Sequence, residues 1–268
     1  SQGTGSSAAS SGGIAGTGLA SGVKITAAGS DTASAGVRVV KSVPTFEKID
    51  LSDTKLVAGR RDLYKFKITA SSNGQVGINR ITVRIATSSA TAQLDMVDNV
   101  NVYAFTNSTY GSGSEASGIQ TDGSFLSTNK DLTVQWASSN TDLSFHPHDT
   151  SNASTTVSIP AGQTYWFTVR GDVTLAGTTY NVSTQLQGDN RFYTPMTRPF
   201  NVSQSGATTT LLATSTYFDN SADATLDDFI WRPHSTTSNR SNTANDYLNG
   251  YGIPGLSGVN TNSQILSN

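Results

Sequence analysis

The chain has no cysteine among its 268 residues. That excludes disulfides, cysteine-based metal sites and thiol catalysis. Charge is scarce at 13%, and hydrophobic content is a modest 35%. Glutamate is scarcer still, with only Glu47 and Glu115, so nearly all the acid is Asp. Asp favours turns and caps, which suits a turn-rich protein more than a helical one. No run of about 18 apolar residues occurs, so no spanning helix is expected. No long basic run occurs, which argues against a nucleic-acid partner. Catalytic signatures are also missing: no GxSxG elbow, no phosphate loop and no GxGxxG after a strand. With two Glu and three His, general acid–base candidates are few, and we expect no enzyme.

Ser, Thr, Gly and Asn fill the space that charge and apolar residues leave. Aromatics at 8%, with many Val, Ile and Leu, still supply a core. Net charge is −2, from 17 basic and 19 acidic residues. Low charge separates the chain from solvated disordered proteins.

Period-two alternation marks half-buried strands along most of the chain. In DLYKFKITA, Tyr64, Phe66 and Ile68 alternate with Lys65, Lys67 and Thr69. In NRITVRIAT, Ile81, Val83 and Ile85 alternate with Arg80, Thr82 and Arg84. NVNVYAF sets Val100, Val102 and Ala104 against Tyr103 and Phe105. DLTVQWA, TTVSI, TYWFTV, YNVSTQL, TTLLATSTYF and LDDFIWRP read the same way. SSNG (residues 71–74) and Pro160–Gly162 are turn signals. No amphipathic helix emerges. Roughly ten short strands predict an all-β fold, an enlarged antiparallel Ig-like β-sandwich. The expected organisation is an extended low-complexity N-terminal segment at 1–36, a sandwich at 37–206, and a final strand or hairpin with a loop-rich tail at 207–268.

Several clusters invite a chemical reading. FHPHD places His146 and His148 on one face of a strand, where Asp149 or His234 would complete a divalent-metal set. A polar loop bent at Pro147 explains the same residues. DNSADATLDD spaces Asp219, Asp223, Asp227 and Asp228 so that, with loop carbonyls, they would take calcium as the cofactor. A solvated acidic turn is the plainer account. Trp136, Trp166 and Trp231 are candidates for a sugar platform, although burial explains the first two. Sequons at Asn107, Asn152, Asn181, Asn201 and Asn239 are compatible with glycosylation of an exposed surface.

Two stretches carry a resemblance. One has Lys41-Ser42-Val43-Pro44-Thr45, followed by Leu63-Tyr64-Lys65-Phe66-Lys67-Ile68. The other has Phe229-Ile230-Trp231, His234-Ser235 and Asp246-Tyr247-Leu248-Asn249-Gly250-Tyr251. Together they resemble Ser/Thr-rich secreted β-sandwich surface proteins of reduced-genome candidate-phylum (Patescibacteria-like) bacteria. The chain departs from that pattern at Arg232-Pro233, which replace Ser-Asp, and at Tyr247, which replaces Trp. Leu256-Ser257 also ends the tail motif without Pro. The resemblance spans about 37–85 and 222–266. It implies an exported, extracellular role at the cell surface and carries no catalytic residue.

The segment SQGTGSSAASSGGIAGTGLASG opens the chain. Such a segment cannot offset its own ordering entropy, roughly 1–2 kcal/mol per residue. If it is fixed, a neighbouring subunit is one thing that can fix it, by lending an open sheet edge. Small residues thread a tight groove, and Ile14, Leu19, Val23 and Ile25 would be the anchors. Head-to-tail exchange of this kind propagates into a filament. The expected function is therefore a structural subunit of an extracellular pilus-like filament or surface layer, with copies of itself as partners. The alternative is a surface adhesin or carbohydrate-binding module with glycan partners.

Overall fold

The computed structural model describes residues 15–17, 24–26, 40–89, 97–127, 140–175, 180–189, 228–233, 248–256 and 263–268. The readings that fall on DLTVQWA and TTLLATSTYF lie outside them. The chain divides into two compact units, residues 1–38 and 39–268.

In the first unit, β1 (Ala15–Thr17) and β2 (Lys24–Thr26) form a two-stranded antiparallel sheet in which Gly16 faces Ile25.

Among the described residues the second unit holds eleven strands and no helix. They are β3 (Pro44–Ile49), β4 (Gly59–Ala70), β5 (Val76–Ser89), β6 (Val97–Phe105), β7 (Asn140–Phe145), β8 (Val157–Ile159), β9 (Thr164–Val173), β10 (Tyr180–Leu186), β11 (Phe229–Arg232), β12 (Leu248–Asn249) and β13 (Gln264–Ser267). One sheet runs β3-β4-β9-β6. The other runs β12-β11-β5-β10-β13, with β7 and β8 also on β5. Every pairing between these described strands is antiparallel. The long β5 serves β10 and β11 along one side and β7 and β8 along the other. The fold is the expected all-β, enlarged antiparallel β-sandwich, and the stretch 207–268 contributes β11, β12 and β13 to its larger sheet.

Alternation fixes which face a strand turns to the core, although in β5 the opposite-face residues Arg80 and Thr82 are buried too, against the half-buried expectation. Tyr64, Phe66 and Ile68 of β4, Phe167 and Val169 of β9, Ile81, Val83 and Ile85 of β5, and Tyr180, Val182 and Leu186 of β10 are all buried in one core. Phe66 faces Phe167 in register. Their rings stack at 4.9 Å with planes 5° apart, Phe46 adds a ring at 5.3 Å from Phe66, and Phe125 meets Phe167 edge-on at 6.4 Å. Offset and edge-on pairs of this kind add to the stabilisation that burial alone supplies.

β6 departs from simple alternation: Val100 through Phe105 are all buried. On the outer face Arg60 and Arg170 cover Tyr103, and Arg170 and Tyr110 cover Phe105. The segment after β6 folds back along its free edge. Ala104 N–H bonds to Gly123 O, Phe125 N–H to Val102 O, and Ala116 N–H to Ala104 O. Asn101 holds the end of this segment. Its Nδ2 donates to Leu126 O at 2.9 Å, and its Oδ1 accepts the Leu126 N–H at 3.2 Å.

Candidate functional site

The outer face of the four-stranded sheet carries a cluster of charged and aromatic side chains. β4 supplies Arg60, Asp62 and Lys65, β9 supplies Thr168 and Arg170, and β6 supplies Tyr103 and Phe105. The register brings them together, since Asp62 faces Arg170, and Tyr103 faces Thr168. Arg60, Arg61, Asp62, Tyr103 and Arg170 line an open concavity of about 300 Å³.

Asp62 is the hub. Its Oδ1 accepts from Arg170 Nε at 2.8 Å and Thr168 Oγ1 at 3.1 Å, and its Oδ2 lies 2.8 Å from Lys65 Nζ. Burial works against its charge. The hydrogen bonds and positive charge of Lys65 and Arg170 outweigh that, so its carboxyl sits below the ordinary carboxylate range. Lys65 Nζ is 4.6 Å from the Tyr110 ring centre, and Tyr110 packs edge-on to Phe105 at 5.7 Å. Burial, reinforced by the Asp62 charge, pushes the Tyr110 phenol up to about 12.

Two guanidinium groups converge on Tyr103. Arg170 Cζ is 5.0 Å from its ring centre and Arg60 Cζ 5.7 Å. Arg60 Nη2 donates to Tyr103 Oη at 2.6 Å, which puts Arg60 at the hydroxyl end of the ring. Arg60 Nη1 also reaches Asn99 O at 2.9 Å and Asp172 Oδ1 at 3.2 Å.

The residues singled out from sequence are placed as follows. Ile25 lies in β2, while Ile14, Leu19 and Val23 lie outside the described residues. Asp219, Asp223 and Asp227 also lie outside them. Asp228 is not in a solvated acidic turn. It is 1% exposed, because its backbone is clamped to the buried Asp189. Among the described residues no group of three His, Asp or Glu could hold a metal ion. His146 and His148 are not loop-exposed either. Both are buried, and His148 Nδ1 bonds to His146 O at 2.8 Å. His234 lies outside the described residues.

Trp231 is buried and donates its indole N–H to Asn249 O at 2.9 Å, so it offers no sugar platform. Trp166 is half-buried, and Trp136 is outside the described residues. Asn107, Asn152 and Asn181 are exposed, and Asn201 and Asn239 are outside the described residues. Asn107 Oδ1 accepts both the N–H and the hydroxyl of Thr109, the third residue of its own sequon, at 3.0 and 2.6 Å.

The edges of the two sheets differ in how they are closed. Pro44 has no N–H to offer. Phe46 N–H is taken by Pro254 O, so β3 is closed there. Beyond β13, Ser267 N–H bonds to Thr54 O and Ser267 O accepts from Leu56 N–H. Ile265, two residues away, points its N–H and C=O the same way. Its side chain is 55% exposed.

No protein-family model matches the chain, and no curated protein matches it. Among solved structures, a serine-rich repeat protein of Streptococcus agalactiae is 13% identical with a TM-score of 0.18, over 54% of this chain and 40% of that one. A structure of manganese lipoxygenase of Gaeumannomyces graminis with part of zonadhesin of Komagataella pastoris is 9% identical with a TM-score of 0.18, over 56% of this chain and 43% of that one. This chain thus spans less than half the length of either, and similarity at that level carries no functional argument.

Proposed function

We propose that the chain is a structural subunit of an extracellular filament or surface layer, in which the N-terminal segment of one copy joins the sandwich of the next. The observation that carries this reading is the edge of β13. There an exposed apolar side chain, Ile265, coincides with backbone groups directed away from β10. Such an edge is a template for another strand. The donor is the segment containing β1 and β2. A two-stranded sheet is marginal in water and gains stability from a third strand. Ile25, set among small residues, is the anchor within it. Successive donation is head-to-tail, and so propagates without closing. A surface role of this kind agrees with the resemblance in the 37–85 and 222–266 stretches.

Negative-stain microscopy of the full chain tests this, beside a variant lacking residues 1–30 and an Ile265→Lys variant. Filaments or sheets that vanish in both variants support the reading. Filaments that survive Ile265→Lys but not the deletion move the acceptor edge elsewhere. A full chain that stays monomeric across a salt and calcium series overturns assembly.

A further inference from the structure

Three sequons fall on described residues, and the fold treats them differently. Asn181 sits within β10, paired on one side with Ser88 of β5 and on the other with Ser267 of β13. Its Nδ2 donates to Ser88 Oγ at 3.3 Å. Asn152 has φ of +61° and stands in a tight turn. There Asp149 Oδ1 takes the N–H of both Ser151 and Ala153, and Asp149 gives its own N–H to Ala153 O. The middle residue of that sequon is thus tied through both its N–H and its carbonyl.

Asn107 is held out instead. The chain leaves β6 at Phe105, and Thr106 closes the loop by bonding Ser114 O through both its N–H and its hydroxyl. Tyr110 anchors the other side, edge-on to Phe105 and with Lys65 Nζ 4.6 Å from its ring centre. Between these anchors Asn107, Ser108 and Thr109 are all exposed. Among the described residues no backbone bond ties these three to another segment. The Thr109 N–H meets the Asn107 carboxamide at 3.0 Å, and an N–H must face the oxygen, so the network fixes which way the amide points. Oδ1 also accepts the Thr109 hydroxyl at 2.6 Å, and the Nδ2 branch is left clear of both donors.

We propose that Asn107 is the acceptor for an N-linked glycan in the folded protein, delivered from a polyprenyl-diphosphate-linked sugar by an oligosaccharyltransferase. In that step Nδ2 bonds to C1 of the sugar and gives up one proton to a base of the transferase. The C1–O bond to the diphosphate breaks, and its electron pair leaves with the polyprenyl diphosphate. Nothing is oxidised or reduced. The two donors on Oδ1 stabilise the negative charge that gathers there as Nδ2 loses its proton. One of them is the Thr109 hydroxyl, the group that the Asn-x-Ser/Thr motif requires at its third position. β6 is an edge of the four-stranded sheet, whereas β13 belongs to the other sheet, so a glycan at Asn107 leaves the proposed acceptor edge open.

The test is transfer in vitro to the purified, folded full chain. A single-subunit oligosaccharyltransferase and dolichyl-diphosphate-linked chitobiose are supplied, and glycopeptide mass spectrometry reads each site over time. Asn107 should be modified about tenfold or more faster than Asn152 and Asn181, because those two must open locally first. Thr109→Ala should abolish modification at Asn107, and Thr109→Ser should restore part of it. A full chain carrying Ser154→Thr and Ser183→Thr gives all three sequons the same third residue, and Asn107 should keep its lead. A short Asn-x-Thr peptide in the same tube shows that the enzyme is active, so an unmodified Asn107 beside a modified peptide overturns the proposal. Asn152 or Asn181 reacting as fast as Asn107 in the Ser154→Thr, Ser183→Thr chain also overturns it, since the fold would then select nothing. None of these outcomes depends on whether the chain forms filaments.

Discussion

Asp189 Oδ2 accepts the backbone N–H of Gly250 at 2.5 Å, across 61 positions of the chain. The same buried carboxylate takes the N–H of Asp228 at 2.9 Å and of Phe229 at 3.4 Å. One side chain at the exit of β10 thus fixes the start of β11 and the turn after β12. The Asn249-Gly250-Tyr251 motif therefore has a structural explanation: a Cβ on Gly250 would lie 2.9 Å from Asp189 Oδ2, 2.9 Å from Phe229 Cβ and 3.0 Å from Leu256 Cδ2.

Removing this clamp should be costly. Asp189→Ala leaves buried N–H groups without their acceptor, a loss of about 3 kcal/mol or more. Asp189→Asn keeps one oxygen and should lose less. Gly250→Ala should cost about 1–3 kcal/mol by overpacking. Urea unfolding measures all three. A change in Asp189→Ala below about 0.5 kcal/mol would mean that the neighbouring groups find other partners.

Two glycines of the tail separate strain from close approach. Gly252 has φ of +79° with open space where a Cβ would point. Gly255 has φ of +84°, and a Cβ there would overlap the Phe46 carbonyl oxygen. Gly252→Ala should therefore cost about 1 kcal/mol, the left-handed penalty alone. Gly255→Ala should cost more, because the turn must also lift off the edge of β3. Equal unfolding free energies for the two variants would show that this contact is not rigid.

The bond pair at Asn101 holds the segment that covers β6. Asn101→Ala should therefore speed hydrogen exchange at Leu126 and Phe125 while leaving the Phe66–Phe167 core protected. Exchange that rises evenly over the whole sandwich would instead make Asn101 a global stability residue.

These devices differ in how far the sequence reveals them. Strands whose outer face meets solvent announce themselves by alternation, as Tyr64, Phe66 and Ile68 do against Lys65, Lys67 and Thr69. β6 does not, because Arg60 and Arg170 lie over Tyr103, and Arg170 and Tyr110 lie against Phe105, on the face that alternation would leave open. Asp189 looks like a turn residue in QGDN, and Asp228 like part of an acidic loop. Their burial comes from partners dozens of positions away. The outer concavity is illegible for the same reason. Arg60 and Arg170 stand far apart in the chain, and only the β4–β9 and β6–β9 registers bring them to one tyrosine. The available signal was the run of cations on the outward positions of β4, read together with Arg170 at an outward position of β9.

His146 supplies the pH dependence. It is buried, and burial first, then the positive charge of Arg80 and His148, pushes its imidazole down to about 3, against a smaller opposing effect from a backbone hydrogen bond at Asn79. In the unfolded chain it titrates near the ordinary value of 6.5. Between these two values the unfolded state holds a proton that the folded state refuses, so stability falls as pH drops through that window and is fully present above it. Asp62 acts in the same direction at lower pH, because its lowered carboxyl must be protonated before its ion pairs are lost. A His146→Gln variant keeps the Asp62 contribution and loses the histidine one. Urea midpoints measured from about pH 7 to about pH 4 should therefore decline less in His146→Gln than in the parent. Parallel declines would show that another buried group takes up the proton.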